Sequence, residues 1–273
     1  MLPQRLGEVR VLSKSTCATP LAALREGDKP TVPSFYLRSD VECLSLSAEC
    51  GIVGDQRAVP SHQTRQRDIL FADPVLLREV GSIHTNKSLQ SGTQDKPCNI
   101  GQNVTLAEGD VPVSTWCVGD MIEIGSPDNA ALVRITSTRR PCPKNNNVHG
   151  EGTGAHMDKR GLGGIFGTVV RDGTIRPGDA VMLVERLQSQ WTCAQVHISL
   201  YGPAAQSTTP QELQEIVALE YLEGPRYKSV AQKRLKELEA LAASSRWQWE
   251  AFALLAVSLV AMQVFRRWNV GAR

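Results

Sequence analysis

The feature that most constrains this chain is a long succession of short apolar runs cut by turn residues. Between about residue 5 and residue 187, segments such as Met121-Ile122-Glu123-Ile124, Ala131-Leu132-Val133-Arg134-Ile135, 165–170 and 180–184 are bounded by Gly, Pro, Asp and Asn. Runs of this length and composition are strand-sized. The turns Arg171-Asp172-Gly173-Thr174 and Arg176-Pro177-Gly178-Asp179 supply glycines for positive-φ positions, the second beside a proline that sets φ. Short strands at close spacing predict a closed or partly closed barrel. A helical turn is expected inside this region at 76–80. With 22 glycines, 15 prolines and few aromatics, the composition suits a turn-rich β domain better than a helical bundle.

The character changes near residue 207. Ser207-Thr208-Thr209-Pro210-Gln211-Glu212 reads as a helix start, with a Thr cap, Pro at the first helical position and acid in the first turn. Leu213, Ile216, Val217 and Leu219 follow at helical spacing. A second helix is expected over about 228–243, with Val230, Leu235, Leu238 and Leu241 on one face. Beyond it, AFALLAVSLVAMQVF (251–265) runs fifteen residues without a charge, flanked by Trp247, Trp249, Arg266, Arg267 and Trp268. The run is apolar on every face, unlike an amphipathic surface helix. From Trp249 to Trp268 it has about the 20 residues that cross a bilayer, with tryptophan and arginine at the edges where interfacial anchors sit. The expectation is a tail anchor that leaves most of the chain facing the cytosol; a buried or partner-binding helix is the alternative.

A formal charge of +2, from 30 basic and 28 acidic residues, argues against nucleic acid as the main partner. The seven cysteines are odd in number and irregular in spacing, with no Cys-x-x-Cys pair. That speaks against a disulfide framework and a structural zinc site, and predicts free thiols in a reducing compartment. The opening residues contain no apolar h-region, so no secretory signal is expected there. Residues 145–161, NNNVHGEGTGAHMDKRG, read as a polar, Gly-rich loop, either a mobile lid or simply disordered. Its third glycine is misplaced for a dinucleotide fingerprint, and no apolar strand leads into it. His149 and His156 lack a zinc spacing and read as solvated loop histidines.

One cysteine stands out. In Thr138-Arg139-Arg140-Pro141-Cys142-Pro143-Lys144 a thiol lies between two prolines and is ringed by three cations. Nearby cations lower a thiol pKa, and the thiolate is the reactive, metal-binding form. An unreactive loop cysteine is the competing reading.

Several segments then fall in a recognisable order. Gly51-Ile52-Val53-Gly54-Asp55 precedes Arg65-Gln66-Arg67-Asp68-Ile69-Leu70, Gly101-Gln102-Asn103-Val104-Thr105 and Cys117-Val118-Gly119-Asp120-Met121. Arg139-Arg140-Pro141-Cys142, Gly164-Ile165-Phe166-Gly167 and Ile175-Arg176-Pro177-Gly178-Asp179 follow. The series resembles the MOSC domain, named for the C-terminal domain of molybdenum-cofactor sulfurases. It looks closest to the stand-alone YiiM-like branch, in which helices follow the barrel. The resemblance implies a mainly β chain: a MOSC-type β-barrel over 5–190, a small helical segment over 207–245 and, in this chain, an added transmembrane tail anchor over 247–268. It also implies a molybdopterin-type molybdenum cofactor, with Cys142 as catalytic residue and metal ligand. Asp55, Arg65, Gln66, Asn103, Thr105, Arg139 and Lys144 are the expected cofactor-binding residues. Arginine suits a bidentate phosphate contact, and Gln and Asn match both edges of a pterin. A turn-capping Asp55, an Asx-turn at Asn103 and a surface ion pair at Arg65 are the structural alternatives.

Relatives often carry His-Gly-Gly-Pro where this chain has Ser61-His62-Gln63-Thr64-Arg65-Gln66. The implied activity is reduction of N-hydroxylated compounds such as hydroxylaminopurines and amidoximes, with electrons from a separate flavin or haem protein. A non-redox sulfur or cofactor carrier is the alternative. The pyridoxal phosphate chemistry of longer sulfurases belongs to a domain that does not fit in this chain, so Lys14 and Lys29 are not read as Schiff-base lysines. The tail favours the mitochondrial outer membrane, with endoplasmic reticulum or peroxisome as alternatives. Deleting 247–273 is expected to move the protein from the membrane pellet to the soluble fraction; a full-length protein already soluble on fractionation rejects the anchor.

Overall fold

The computed structural model describes residues 3–15, 38–55, 64–83, 100–141 and 144–244, with Val257 beyond them. Eleven strands and five helices are bounded within these residues, followed by a helical run through 229–244. Seven strands close a barrel: β1 (Gln4–Ser15), β11 (Ala180–Glu185), β7 (Met121–Ile124), β8 (Ala131–Thr138), β9 (Ile165–Arg171), β5 (Ile69–Ala72) and β6 (Val104–Leu106). Closure falls to β1, whose first half pairs with β11 (Gln4 opposite Leu183, Glu8 opposite Ala180) and whose later residues pair with β6 (Val9 opposite Leu106, Leu12 opposite Val104). Only β5 and β6 run parallel within the barrel, Phe71 facing Val104. β2 (Arg38–Asp40) extends the end of β1, and β3 (Leu44–Ser47), β4 (Gly51–Ile52) and β10 (Gly173–Ile175) form a small second sheet. A closed barrel leaves none of its member strands as a free edge.

The strand-sized runs thus form strands, and alternation along them separates inside from outside. β11 alternates between buried and part-exposed residues, with Val181 and Leu183 inward. β5 is buried throughout, because its outer face is covered as well. Trp116 is fully buried and packs on Phe71 with ring centroids 5.2 Å apart. Side chains of this size contribute about 1.5–3 kcal/mol each when fully buried. Gly178 takes φ +92° as its turn predicts. Gly173 does not take a positive φ; it lies in β10, where a Cβ would sit 2.4 Å from the Ala131 amide nitrogen. Its job is close strand approach.

The helices are better defined than the periodicity suggested. α1 (Pro74–Ser82) starts on Asp73, whose carboxylate accepts from Leu76 N at 2.8 Å and from Val113 N at 2.9 Å. The expected Thr cap and N1 proline are found at α5 (Pro210–Ala218), where Thr209 and Glu212 form a capping box. The stretch 145–161 is not a loop. It holds α2 (Lys144–His149) and α3 (Thr153–Arg160), the polar residues being spent on local bonds such as Gly154 N to Asn146 Oδ1 at 2.8 Å. His149 is buried at 3% exposure, contrary to the solvated position expected for it, whereas His156 stays partly exposed beside Glu79. α4 (Cys193–Tyr201), capped by Thr192, had no predicted counterpart. Among the described residues no helix is long and apolar enough to cross a membrane; the segment 247–268 lies outside them apart from Val257.

The helical segment expected over 207–245 packs onto the barrel. Leu213, Ile216, Leu222, Tyr227 and Ala231 are buried in the same hydrophobic core as the strands. A π-helical turn, Gly224–Lys228, is fastened to the barrel by one buried phenol. Tyr227 donates to the Thr138 carbonyl at 2.6 Å and lies 2.9 Å from His197 Nδ1. With that proton committed, Nδ1 must donate to the phenol oxygen. Nε2 faces the Asp158 carbonyl at 2.8 Å and the Asp158 carboxylate at 3.2 Å. Tyr227, His197 and Asp158 thus form one hydrogen-bonded network under the strand end.

Burial raises the Asp158 pKa, but hydrogen bonds from His197 and Arg140 outweigh it and the net shift is downward from 3.8. A depressed carboxylate pKa adds stability that is complete above the ordinary value and is lost as pH falls through the folded one. Urea unfolding of Asp158→Asn should therefore show a deficit of about 1 kcal/mol near pH 7, a figure that allows for solvent screening, and the deficit should shrink as pH falls below 3.8. Gly163 tests the packing directly, since its added Cβ would lie 1.7 Å from the Arg139 carbonyl oxygen. Gly163→Ala is expected to lower stability by about 3 kcal/mol or more in the same measurement.

Candidate functional site

β8 ends where the chemistry begins. Thr136 Oγ1 donates to the carbonyls of Gln66 at 2.7 Å and Phe166 at 3.1 Å, which fixes the strand's last turn of pleat. Ser137 and Thr138 follow, each 1% exposed, and neither hydroxyl has a hydrogen-bond partner among the described residues. Native proteins rarely leave such groups unsatisfied, and each orphan costs about 1–3 kcal/mol. The chain then passes through Arg139, Arg140 and Pro141 towards Cys142. Cys142 and Pro143 lie outside the described residues, as does the side chain of Lys144.

On one flank, Arg139 is buried. Its amide donates to the Gly164 carbonyl at 2.9 Å, and Nη1 donates to the Ile100 carbonyl at 2.5 Å. The Ile100 amide in turn donates to Gln102 Oε1 at 2.9 Å, and Gln102 Nε2 reaches Thr105 Oγ1 at 3.4 Å. Asn103 sits beside this chain, but its amide serves the backbone: Oδ1 accepts from Leu70 N at 3.0 Å and Nδ2 donates to the Ser13 carbonyl at 3.3 Å. These contacts tie β1, β5 and β6 to the end of β8.

The other flank is cationic. Arg67 is buried and pairs with buried Glu223 at 2.7 Å, while Glu223 Oε2 has no partner among the described residues. Gln66 Oε1 accepts from Gly224 N at 3.3 Å. Arg140 pairs with Asp158 at 3.1 Å and lies over the Tyr201 ring, 3.8 Å from its centroid. The Tyr201 hydroxyl donates to the Arg226 carbonyl. Burial pushes the Tyr201 and Tyr227 phenols up, so both are held protonated as donors.

The predicted residues therefore divide. Gln66 and Arg139 bond residues at the end of β8 or belong to it, Thr105 reaches it through Gln102 and Ile100, and Asn103 braces the same flank. Arg65 lies farther along, donating to the carbonyls of Ala48 at 2.6 Å and Val169 at 3.0 Å and pairing with Asp68 at 3.1 Å; among the described residues its buried Nη1 has no partner. Asp55 follows β4 of the small second sheet, its amide donating to the Ile52 carbonyl at 3.2 Å. The altered stretch 61–63 is outside the described residues. Arg67, Arg226, Tyr201, Tyr227, His197 and Glu223 were not anticipated. Gly224-Pro225 marks a turn in the sequence, but nothing local says that the turn comes back to β8. The buried thiols of Cys117 and Cys193 are raised by burial first, with Asp120 adding to it, which makes them inert.

A family model described as the MOSC domain matches residues 72–182. No curated protein matches the chain. Among solved structures, the YiiM protein of Geobacillus stearothermophilus is similar at 18% identity with a TM-score of 0.56, covering 85% of this chain and 99% of that one. The YiiM protein of Escherichia coli is similar at 17% identity and 0.56, covering 73% and 88%. A crystal structure titled only as a hypothetical protein aligns at 17% identity and 0.57, covering 84% and 92%. The chain thus carries a MOSC domain over residues 72–182, set in a fold like that of the YiiM proteins.

Proposed function

We propose that this protein binds a molybdenum cofactor and reduces N-hydroxylated compounds with electrons delivered by a separate flavin or haem protein. The observation that carries the reading is the end of β8, inside the MOSC match. Two buried, unpartnered hydroxyls, Ser137 and Thr138, stand on the strand that leads into Cys142, between a buried Arg139 and a cluster of further arginines. Orphaned hydroxyls and guanidinium groups are a donor set that fits the phosphate and pterin of such a cofactor. Cys142 is the residue assigned to the metal, since a soft thiolate suits molybdenum and a single protein ligand leaves positions for substrate.

When bound, the cofactor supplies the two-electron redox chemistry. The protein's own residues bind, orient and hold protons. Arg139 is fixed by its bonds to the Ile100 and Gly164 carbonyls, which set the direction of its guanidinium. Tyr227 and His197 clamp the Thr138 carbonyl and hold the strand end rigid. The overall reaction takes an N-hydroxyl group, two electrons and two protons to the N–H compound and water, so the nitrogen–oxygen bond is the one broken. Glu223 Oε2, buried and unpartnered, is an acceptor available to a donor on a bound molecule.

The decisive measurement is the metal and pterin content of protein made in a cofactor-competent host. One molybdenum per chain is expected in the wild type, with at least a tenfold loss in Cys142→Ser. Absence of molybdenum from both proteins rejects the cofactor reading. Reduction of a hydroxylamine or amidoxime by chemically reduced protein then distinguishes an enzyme from a sulfur or cofactor carrier, which would hold molybdenum and leave the substrate unchanged.

A further inference from the structure

We infer that Glu223 accepts a hydrogen bond from the 2-amino group of the cofactor's pterin, so that the helical segment beyond the matched domain completes the cofactor site. The inference deepens the cofactor reading and rests on it for the identity of the ligand.

Six buried side-chain atoms lack a hydrogen-bond partner among the described residues: Thr64 Oγ1, Arg65 Nη1, Trp116 Nε1, Ser137 Oγ, Thr138 Oγ1 and Glu223 Oε2. All but the indole nitrogen belong to three segments that bond one another. Thr136 Oγ1 near the end of β8 donates to the Gln66 carbonyl at 2.7 Å, and the Gly224 amide donates to Gln66 Oε1 at 3.3 Å. Tyr227 donates to the Thr138 carbonyl at 2.6 Å. Arg67 completes the junction: it pairs with Glu223 at 2.7 Å, and its guanidinium carbon lies 5.8 Å from the centroid of the Phe166 ring. Phe166 is the cross-strand partner of Ser137. Opposed residues of an antiparallel pair project to one face, so Ser137 and the Arg67–Glu223 pair share a side of β8 and β9.

Two properties of Glu223 point to a ligand. The first is its incomplete pairing. The Arg67 and Glu223 side chains are 6% and 1% exposed. A buried ion pair is favourable only where further hydrogen bonds satisfy its remaining lone pairs. Oε1 has Arg67, whereas Oε2 has no partner among the described residues. The second property is polarity. Arg65 Nη1 can only donate and a hydroxyl can do either, but a carboxylate oxygen in an ion pair can only accept. Guanidinium groups and hydroxyls suit the phosphate and the ring acceptors of the cofactor. The aminopyrimidine edge of a pterin also carries N–H groups, and these need an acceptor that no guanidinium can supply. Glu223 is that acceptor, and it lies beyond the residues matched by the family model, 72–182.

The test is a fluorescence titration of full-length, cofactor-free protein with pterin and with lumazine, which has a carbonyl in place of the 2-amino group. The wild type should bind pterin about ten- to a hundredfold more tightly than lumazine, the range expected of one hydrogen bond to a charged group. Glu223→Gln, whose amide can donate to the lumazine carbonyl, should bring the two affinities to within about threefold. Lumazine binding by that variant reports that its fold is intact. Replacing both members of the pair, Arg67→Met with Glu223→Met, leaves no buried charge uncompensated, so this variant should fold and bind the two pteridines equally. Equal affinities in the wild type, no binding of either compound, or a preference that survives in either variant overturns the inference. Loss of both compounds alike in both variants makes Glu223 structural and also overturns it. Molybdenum in wild-type protein that shows no preference rejects Glu223 and leaves the cofactor reading standing. A preference in protein that takes up no molybdenum supports Glu223 as a pteridine acceptor and rejects the molybdenum reading alone.

Discussion

β1 belongs to two neighbours at once, and the architecture hangs on that. Its first residues bond β11 and its later ones bond β6, so the sheet can close only if this one long strand holds both registers. Irregularities at Arg5–Gly7 and Val9–Val11 let it bend between them. Closure brings β8 and β9 beside β5, and so places Thr138 and Arg139 against Ile100 and Gly164. Every contact at the candidate site is downstream of that closure. Long-range strand pairing of this kind carries a loop-closure cost that local propensity does not offset.

The helical segment is the second structural device. Thr209 and Glu212 start α5 locally, yet what holds the segment is the burial of Leu213, Ile216 and Tyr227 against the barrel. One phenol then joins three parts of the chain: β8 through the Thr138 carbonyl, α4 through His197 and, through His197, α3 at Asp158. Such a buried network is stable because all its members are satisfied. Three of the buried groups left without a partner among the described residues, the Ser137 and Thr138 hydroxyls and the second oxygen of Glu223, belong to the same strand end and the helical segment that covers it.

Residue patterns carried much of this and failed in instructive places. Short runs between turn residues were legible as strands because alternation and turn chemistry are local properties, and the Thr-Pro start of α5 was legible for the same reason. The polar stretch at 145–161 was misread, since its asparagines and glycines suggest a loop when counted, whereas in place they close turns and fill bonds for α2 and α3. His149 was misplaced with it. Asn103 and Arg65 were sensible choices by type, but their bonds go to backbone carbonyls and amides of distant strands. Residue type cannot distinguish a polar group aimed at a ligand from one spent on the fold.

The sequence by itself determined a mainly β chain, the position of the helical segment, and the ordered motifs that mark a MOSC domain around Cys142. Those features are written in neighbouring residues or in their order. Only the tertiary structure decided that Arg67 and Glu223, separated by most of the chain, pair in the interior of the fold. It also decided that Tyr227 and His197 lock the end of β8 in place, and that Gly173 is there for strand approach and not for its φ. The reason is physical: partners of buried polar groups are chosen by barrel closure and packing, which bring together residues that no local period connects.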